Sequence, residues 1–84
     1  LSIPDWGVTP FAGKRNKIAI SDSIDVFNQL IKKVCFENNT KFFDITDISR
    51  EAELNSDLIA GDSLHPSGIM YKKWIDKILS EWEI

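Results

Sequence analysis

The chain has 84 residues, of which 43% are apolar, 11% aromatic and 27% charged, a composition typical of one small globular domain. It argues against disorder, because a disordered segment lacks the three Trp and five Phe found here. No apolar run approaches the roughly 18 residues of a membrane span, and the net charge of −3 argues against nucleic acid as a partner. Since so short a chain has only a modest core, we expect it to be part of a longer protein.

The first segment in chain order, Leu1–Ile3, is apolar and ends at Pro4, which predicts the last residues of a strand. Residues 5–16 contain two Gly and a Pro among polar residues, and therefore predict a loop. Long loops inside compact domains are often functional. The side chains of Trp6 and Phe11 either bind substrate or anchor the loop itself, and the sequence leaves both roles open.

The next element is a predicted helix, Ser21–Cys35, in which apolar residues recur every three or four positions. Asp22 or Ser23 is expected to cap its start, and the pair Asn38–Asn39 to stop it. Cys35 is the only cysteine, so the chain forms no internal disulfide. Because Cys35 lies on the apolar face, we interpret it as a packing residue rather than a reactive thiol.

A second short strand is predicted at Lys41–Ile45, followed by the polar stretch Thr46–Asn55 with one helical turn at Arg50–Leu54. The order strand, loop, helix, strand is typical of a right-handed parallel crossover, so the predicted fold class is α/β with a parallel sheet. Two strands alone leave open sheet edges. We expect the missing N-terminal part of the domain, or another copy of the chain, to cover them.

The last helix is predicted to begin after Ser67, a natural N-cap, and Pro66 keeps His65 in extended geometry just before it. Apolar residues recur along the helix at a spacing that predicts one buried face: Tyr71, Ile75, Ile78, Leu79 and Trp82.

His65 is the only histidine, and it follows Asp62 by three residues in the turn that leads into this helix. At that spacing the carboxylate can accept the Nδ1 proton, which fixes the tautomer and leaves Nε2 as a general base. The alternative is a histidine that only holds the helix start. The acidic residues that could join His65 at a metal ion are Asp5, Asp44 and Asp47. Because there is only one His and no paired ligand spacing, a metal site is disfavoured, and no cofactor is expected.

Three segments carry a resemblance to a known family. The block Gly61–Ser67, which reads GDSLHPS, resembles the last conserved block of the SGNH hydrolases, also called GDSL esterases and lipases. Residues 3–11 resemble the loop after a late sheet strand in bacterial members of this family, and residues 38–46 resemble the strand that follows. Together the segments cover nearly all of the chain in the family's order.

The resemblance implies that residues 1–84 are the C-terminal portion of a single SGNH domain. It implies a flavodoxin-like three-layer α/β/α fold, with about two parallel strands and two main helices present here. It also implies a serine esterase or acylhydrolase that acts on small-molecule carboxylic esters through a Ser-His-Asp triad. By position, Asp62 is the orienting acid and His65 the general base.

The nucleophilic Ser and the oxyanion hole of the family lie in earlier blocks, so the 84-residue chain alone is expected to be inactive. Gly61-Asp62-Ser63-Leu64 spells the family's nucleophile motif. That motif belongs directly after a strand, and none is predicted before Ser63, so we interpret the spelling as coincidence. The alternative function is a non-catalytic α/β interaction module that binds a partner through its open sheet edge or through the loop that carries Trp6.

Overall fold

The computed structural model describes residues 1–82, and 63% of these residues are helical. Three α-helices form the body of the molecule: α1 at Lys17–Glu37, α2 at Thr46–Arg50 and α3 at Gly68–Glu81. Single 3-10 turns occupy four further segments, which are Trp6–Val8, Pro10–Ala12, Glu51–Glu53 and Ser56–Leu58. None of the described helices combines the length and apolarity that a membrane crossing requires.

The predicted α/β fold, a flavodoxin-like three-layer arrangement with a parallel sheet, is wrong for the residues described. These residues contain no sheet, and their only β-type pairing is an isolated antiparallel bridge between Ile59 and Pro66. The two segments predicted as strands, 1–3 and 41–45, lie beside each other without regular pairing. The open sheet edge expected from the sequence is therefore absent from this part of the chain.

Side-chain hydrogen bonds explain why these two segments form no ladder. One backbone hydrogen bond joins them, from Ser2 N to Phe43 O at 2.9 Å. The next donors are taken by side chains: Ile45 N donates to Ser2 Oγ at 2.7 Å, and Ile3 N donates to Asn28 Oδ1 at 2.8 Å. A strand ladder needs successive backbone hydrogen bonds. Because side-chain oxygens accept from the next backbone N–H groups, only one backbone hydrogen bond joins the two segments.

The start of α1 differs from the prediction, whereas its end agrees with it. The helix begins at Lys17 because Asn16, rather than Asp22 or Ser23, caps it: Asn16 Oδ1 accepts a 3.0 Å hydrogen bond from the backbone N–H three residues on. At the other end Asn39 adopts a left-handed φ of 54°, as expected for a helix stop.

The hydrophobic core lies where α3 crosses α2 and the turns that follow it. Its buried members are Ile45, Ala52, Leu58, Met70 and Trp74. The face of α3 that reaches this core carries Met70 and Trp74, one turn apart. Most of the face predicted to be buried is exposed instead, with Tyr71, Ile75, Leu79 and Trp82 each about half exposed or more and only Ile78 half-buried. Both faces of α3 are apolar, so periodicity alone does not distinguish them.

The molecule is thin, with extents of 39 × 26 × 17 Å, and leaves much apolar surface open. On α1 the exposed apolar residues include Phe27, Leu30 and Val34. The accessible surface is 5925 Å², whereas a compact monomer of this mass exposes about 5,100 Å². This excess of accessible surface is close to the area of about 800 Å² that each partner buries in a protein interface of standard size.

A charged cluster around Arg50 ties the first loop to α1 and α2. Arg50 Nε donates to Asp5 Oδ2 at 2.9 Å, and Nη2 donates to Asp25 Oδ1 and to Ser21 Oγ, both at 2.8 Å. The other Asp5 oxygen accepts from Gly7 N at 2.9 Å. Burial opposes the charged form of Arg50, but the hydrogen bonds and charges of Asp25 and Asp5 outweigh it and raise the pKa of Arg50. The cluster thus fixes where the loop begins.

Candidate functional site

Residues 59–66 form a closed turn that carries both Asp62 and His65. An antiparallel bridge joins the first and last residues of the turn, and Ala60 N donates to His65 O at 2.7 Å. Ser63 adopts φ 66°, in the left-handed region found in tight turns. The turn therefore holds the Asp62 and His65 backbones in a fixed relation, immediately before α3.

The structure brings Asp62 and His65 into direct contact. Oδ2 of Asp62 is hydrogen-bonded to Nδ1 of His65, while Oδ1 accepts from Leu64 N at 3.0 Å and from His65 N at 2.9 Å. An ionised carboxylate only accepts hydrogen bonds, so Nδ1 carries the proton and Nε2 is the lone-pair nitrogen of the neutral ring. Within residues 1–82, Nε2 has no hydrogen-bond partner, and 68% of the His65 side chain is exposed.

The hydrogen bond to the His65 side chain lowers the pKa of Asp62 from 3.8 to about 2, with smaller contributions from the backbone N–H groups of His65 and Leu64. Because the pKa in the folded state is depressed, the stabilisation of the turn is complete above pH 3.8 and is lost as the pH falls through about 2. Asp62 therefore stays ionised, and keeps the His65 ring oriented, throughout the pH range in which a histidine acts as a base.

The contact between the two side chains has a direct spectroscopic test. We expect the Asp62 carboxyl carbon to titrate with a midpoint of about 2 in an NMR pH series. In His65→Ala the midpoint should rise towards 3.8, because the largest cause of the depression is removed. Ser63→Ala, which changes the same turn without touching either group, should leave the midpoint unchanged. An equal midpoint in the wild-type protein and His65→Ala would contradict the contact.

Ser63 is not brought to His65 as a nucleophile. Its side chain is exposed, and within the described part of the chain no hydrogen bond joins its Oγ to the imidazole. Its backbone oxygen instead accepts from Phe11 N at 3.0 Å, which attaches the first loop to the turn. Ser63 thus has a backbone role in positioning two segments.

The structure places Trp6 and Phe11 near the turn but outside the space beside His65. Their rings meet edge to face, with centroids 6.4 Å apart, and the Arg15 guanidinium lies 5.3 Å from the centre of the Phe11 ring. Trp6 lines a groove against α1 with Ile20, among other residues. These contacts support the anchoring role for both rings more than a substrate-binding role.

A cavity of about 250 Å³ opens beside His65, and the sequence did not predict it. Its lining combines the turn, the first loop, α2 and α3: Pro4, Asp5, Ser49, Ile59, Leu64, His65, Pro66, Met70 and Trp74. The sequence feature that could have indicated this cavity is the spacing of Met70 and Trp74, which lie one helical turn apart after Ser67, the N-cap of α3.

The acidic residues considered as metal ligands do not converge. Asp5 is occupied by Arg50, and Asp44 Oδ1 accepts from Ser2 Oγ and Thr46 N. Among residues 1–82, no group of three or more His, Cys, Asp or Glu side chains is arranged to hold a metal ion.

Comparison with known proteins identified no relative of this chain. The scan of protein-family models, the search of curated proteins and the search of solved structures each found no match.

Proposed function

We propose that Asp62 and His65 are the orienting acid and general base of a serine ester hydrolase whose nucleophile lies outside these 84 residues. The observation that supports this proposal most directly is the hydrogen bond from His65 Nδ1 to Asp62 Oδ2, on a largely exposed side chain whose Nε2 has no partner in the described residues. The GDSLHPS block and its resemblance to the SGNH hydrolases support the same role.

The reaction follows from the tautomer that Asp62 imposes. His65 Nε2 takes the proton of the serine hydroxyl as its oxygen attacks the ester carbonyl, and the imidazolium formed is stabilised by the ionised Asp62. When the tetrahedral intermediate breaks its bond to the alcohol, Nε2 returns the proton to the leaving alkoxide. Water then attacks the acyl-enzyme and loses one proton to Nε2. As the acid leaves, Nε2 returns this proton to the serine oxygen and the free serine is restored.

The part of the domain that carries the nucleophile and the oxyanion donors must pack against these residues, and the exposed apolar faces of α1 and α3 offer surface for this packing. We propose that the part of the domain carrying the serine packs on these faces, or that a second copy of the chain covers them. The excess of accessible surface over that of a compact monomer, about 800 Å², supports this packing.

The proposal is tested by covalent labelling with an alkyl fluorophosphonate, which reacts with activated serines. We expect the 84-residue chain alone to show no labelling and no turnover of a short-chain nitrophenyl ester. A longer protein that joins these residues to the nucleophile should be labelled, and peptide mapping should place the adduct on a serine outside residues 1–84.

Heat-unfolded protein provides the control for non-specific labelling. An adduct on Ser63, or ester turnover by the 84-residue chain, would contradict the assignment of the nucleophile. Absence of labelling in the longer protein would contradict the hydrolase proposal itself.

One observation favours a second candidate, a non-catalytic interaction module. Exposed apolar side chains on α1 and α3, among them Phe27, Leu30 and Leu79, form the kind of surface that binds another protein. This module binds its partner protein through helix faces, because the described residues contain no sheet edge. A longer protein that binds a partner but is not labelled by the fluorophosphonate would favour this candidate.

A further inference from the structure

We propose that the exposed face of α1 binds the same face of a second copy of the chain, with the two helices antiparallel. The dimer goes beyond the proposed function, because it occupies α1 and leaves only the open face of α3 to the part of the domain that carries the nucleophile. The shape of the face, the charges along its edge and the area of open surface support this pairing.

An outer apolar stripe runs along α1 beside the one that packs on the body of the molecule. The packed stripe includes Ile24, which is buried. At 3.6 residues per turn, residues three or four positions apart share a face, and the outer stripe extends over about four turns. It consists of six exposed residues: Ala19, Ser23, Val26, Phe27, Leu30 and Val34. A contiguous apolar surface of this kind marks a protein interface.

The outer stripe is hollow at one end and carries large side chains at the other. A groove of about 430 Å³ lies over the small residues Ala19 and Ser23, and Trp6 lines it as well. Leu30 and Val34, at the other end, are each more than half exposed. The small end matches the large end only when the second helix runs in the opposite direction. A parallel pairing sets large side chains against large ones and leaves the groove unfilled.

A two-fold axis that crosses α1 just after Phe27 gives the antiparallel pair a definite register. Leu30 of the partner then lies between Ser23 and Phe27. Val34 of the partner lies between Ala19 and Ser23, over the groove. Side chains that alternate in this way along two helices pack into the spaces between each other.

Two charges are placed to pair across the same axis. Lys33 and Asp22 are exposed, and both lie along the edge of the outer stripe that faces away from the body of the molecule. In an antiparallel two-fold pair the same edge of each helix meets, and the axis after Phe27 lies midway between these residues. Lys33 of each copy therefore faces Asp22 of the other. Within one copy, Lys33 lies 3.9 Å from Glu37, a surface contact of small energy.

The open surface is sufficient for a dimer. The molecule exposes about 800 Å² more than a compact monomer of its mass, and each partner in a standard interface buries about this area. Four large apolar side chains of the outer stripe are each more than half exposed: Val26, Phe27, Leu30 and Val34. Because a two-fold interface uses the same patch on both copies, the stripe and the groove supply both of its sides.

The test is the oligomeric state of the 84-residue protein, measured by sedimentation equilibrium over a concentration series. We expect a reversible equilibrium between monomer and dimer, with the dimer dominant at about 100 μM. No larger species should form, because a two-fold contact closes on itself. A protein that stays monomeric at about 1 mM, or that forms open-ended assemblies, would overturn the proposal without any need for a variant.

Leu30→Lys and Phe36→Lys form a matched pair of variants. Each replaces an exposed apolar side chain of α1 with the same charge, but Phe36 lies outside the outer stripe and is 84% exposed. We expect Leu30→Lys to raise the dimer dissociation constant about 100-fold or more, because the dimer contains the change twice. Phe36→Lys should stay within about threefold of wild type. Equal weakening by the two variants would show that the association is not through the outer stripe.

Charge reversal tests the antiparallel register. Asp22→Lys and Lys33→Asp each place two pairs of like charges in the dimer, and each should raise the dissociation constant about five- to thirtyfold. The double variant exchanges the two charges and should return to within about threefold of wild type. If the double variant binds no better than the single variants, the antiparallel register is wrong.

The protein that joins these residues to the nucleophile should form the same dimer, and Leu30→Lys should dissociate it. A longer protein that is monomeric would show that its own remainder covers the outer stripe, and would overturn the proposal. Sedimentation uses neither a nucleophile nor turnover, so loss of the dimer leaves the fluorophosphonate result unchanged. Absence of labelling, with the dimer intact, would instead remove the hydrolase proposal.

Discussion

Replacement of His65 by Ala is expected to lower kcat/KM for a short-chain ester by about 10⁴- to 10⁶-fold, in the protein that joins these residues to the nucleophilic serine. Without Nε2 the serine hydroxyl has no base to take its proton, and the leaving alkoxide has no acid to supply one. Steady-state kinetics on a nitrophenyl ester measure the loss. Activity within tenfold of wild type would contradict the role of His65.

Asp62→Asn tests the other half of the pair and separates orientation from proton transfer. The amide of Asn can donate to Nδ1, which favours the tautomer with the ring proton on Nε2 and leaves only a minor fraction of the imidazole able to act as the base. We expect a loss of about 10²- to 10⁴-fold at neutral pH, smaller than for His65→Ala because the base itself remains. Ser63→Ala is the matched control in the same turn and should stay within a few-fold of wild type.

Arg50→Ala is expected to lower the free energy of unfolding by about 3–5 kcal/mol, a typical cost of removing one partner of a buried ion pair. The Asp5 side chain is only 2% exposed, and after the substitution its carboxylate keeps Gly7 N as its one hydrogen-bond donor. A domain of this size is stable by only about 5–15 kcal/mol in total, so the loss is a large share. Urea unfolding followed by circular dichroism measures it.

Arg15→Ala provides the comparison for this stability prediction. Arg15 also bonds the first loop, through the Phe11 and Ala12 carbonyl oxygens, but it lies at the surface and neutralises no buried charge. Surface contacts of this kind contribute about 0–1 kcal/mol. Equal destabilisation by the two substitutions would show that the Arg50–Asp5 pair is not the stabilising contact proposed here.

The candidate site was predictable because its chemistry is local. Asp62 and His65 are three residues apart in a turn bounded by Pro66, and a spacing so short fixes their proximity almost regardless of the surrounding fold. The cavity beside His65 was not predictable in the same way. It needs Pro4 and Trp74, which are brought together only by the tertiary packing of the first loop against α3.

The predicted α/β fold class was wrong for a similar reason. Segments 1–3 and 41–45 do lie side by side, but the acceptors that stop their pairing are Ser2 Oγ and Asn28 Oδ1, and hydrophobic patterning carries no information on such bonds. The Arg50–Asp5 pair joins residues 45 positions apart, in stretches that composition describes only as polar. The helices were found from periodicity, although the buried face of α3 was not.

The 17 Å thickness of the molecule also bears on how it unfolds. Few side chains lie far from solvent, so unfolding exposes less new apolar surface than it does in a more compact domain of equal length. The urea dependence of the free energy of unfolding and the heat-capacity change both scale with that newly exposed surface. The transition should therefore be broad in both urea and temperature, and any partner that covers α1 and α3 would make it sharper.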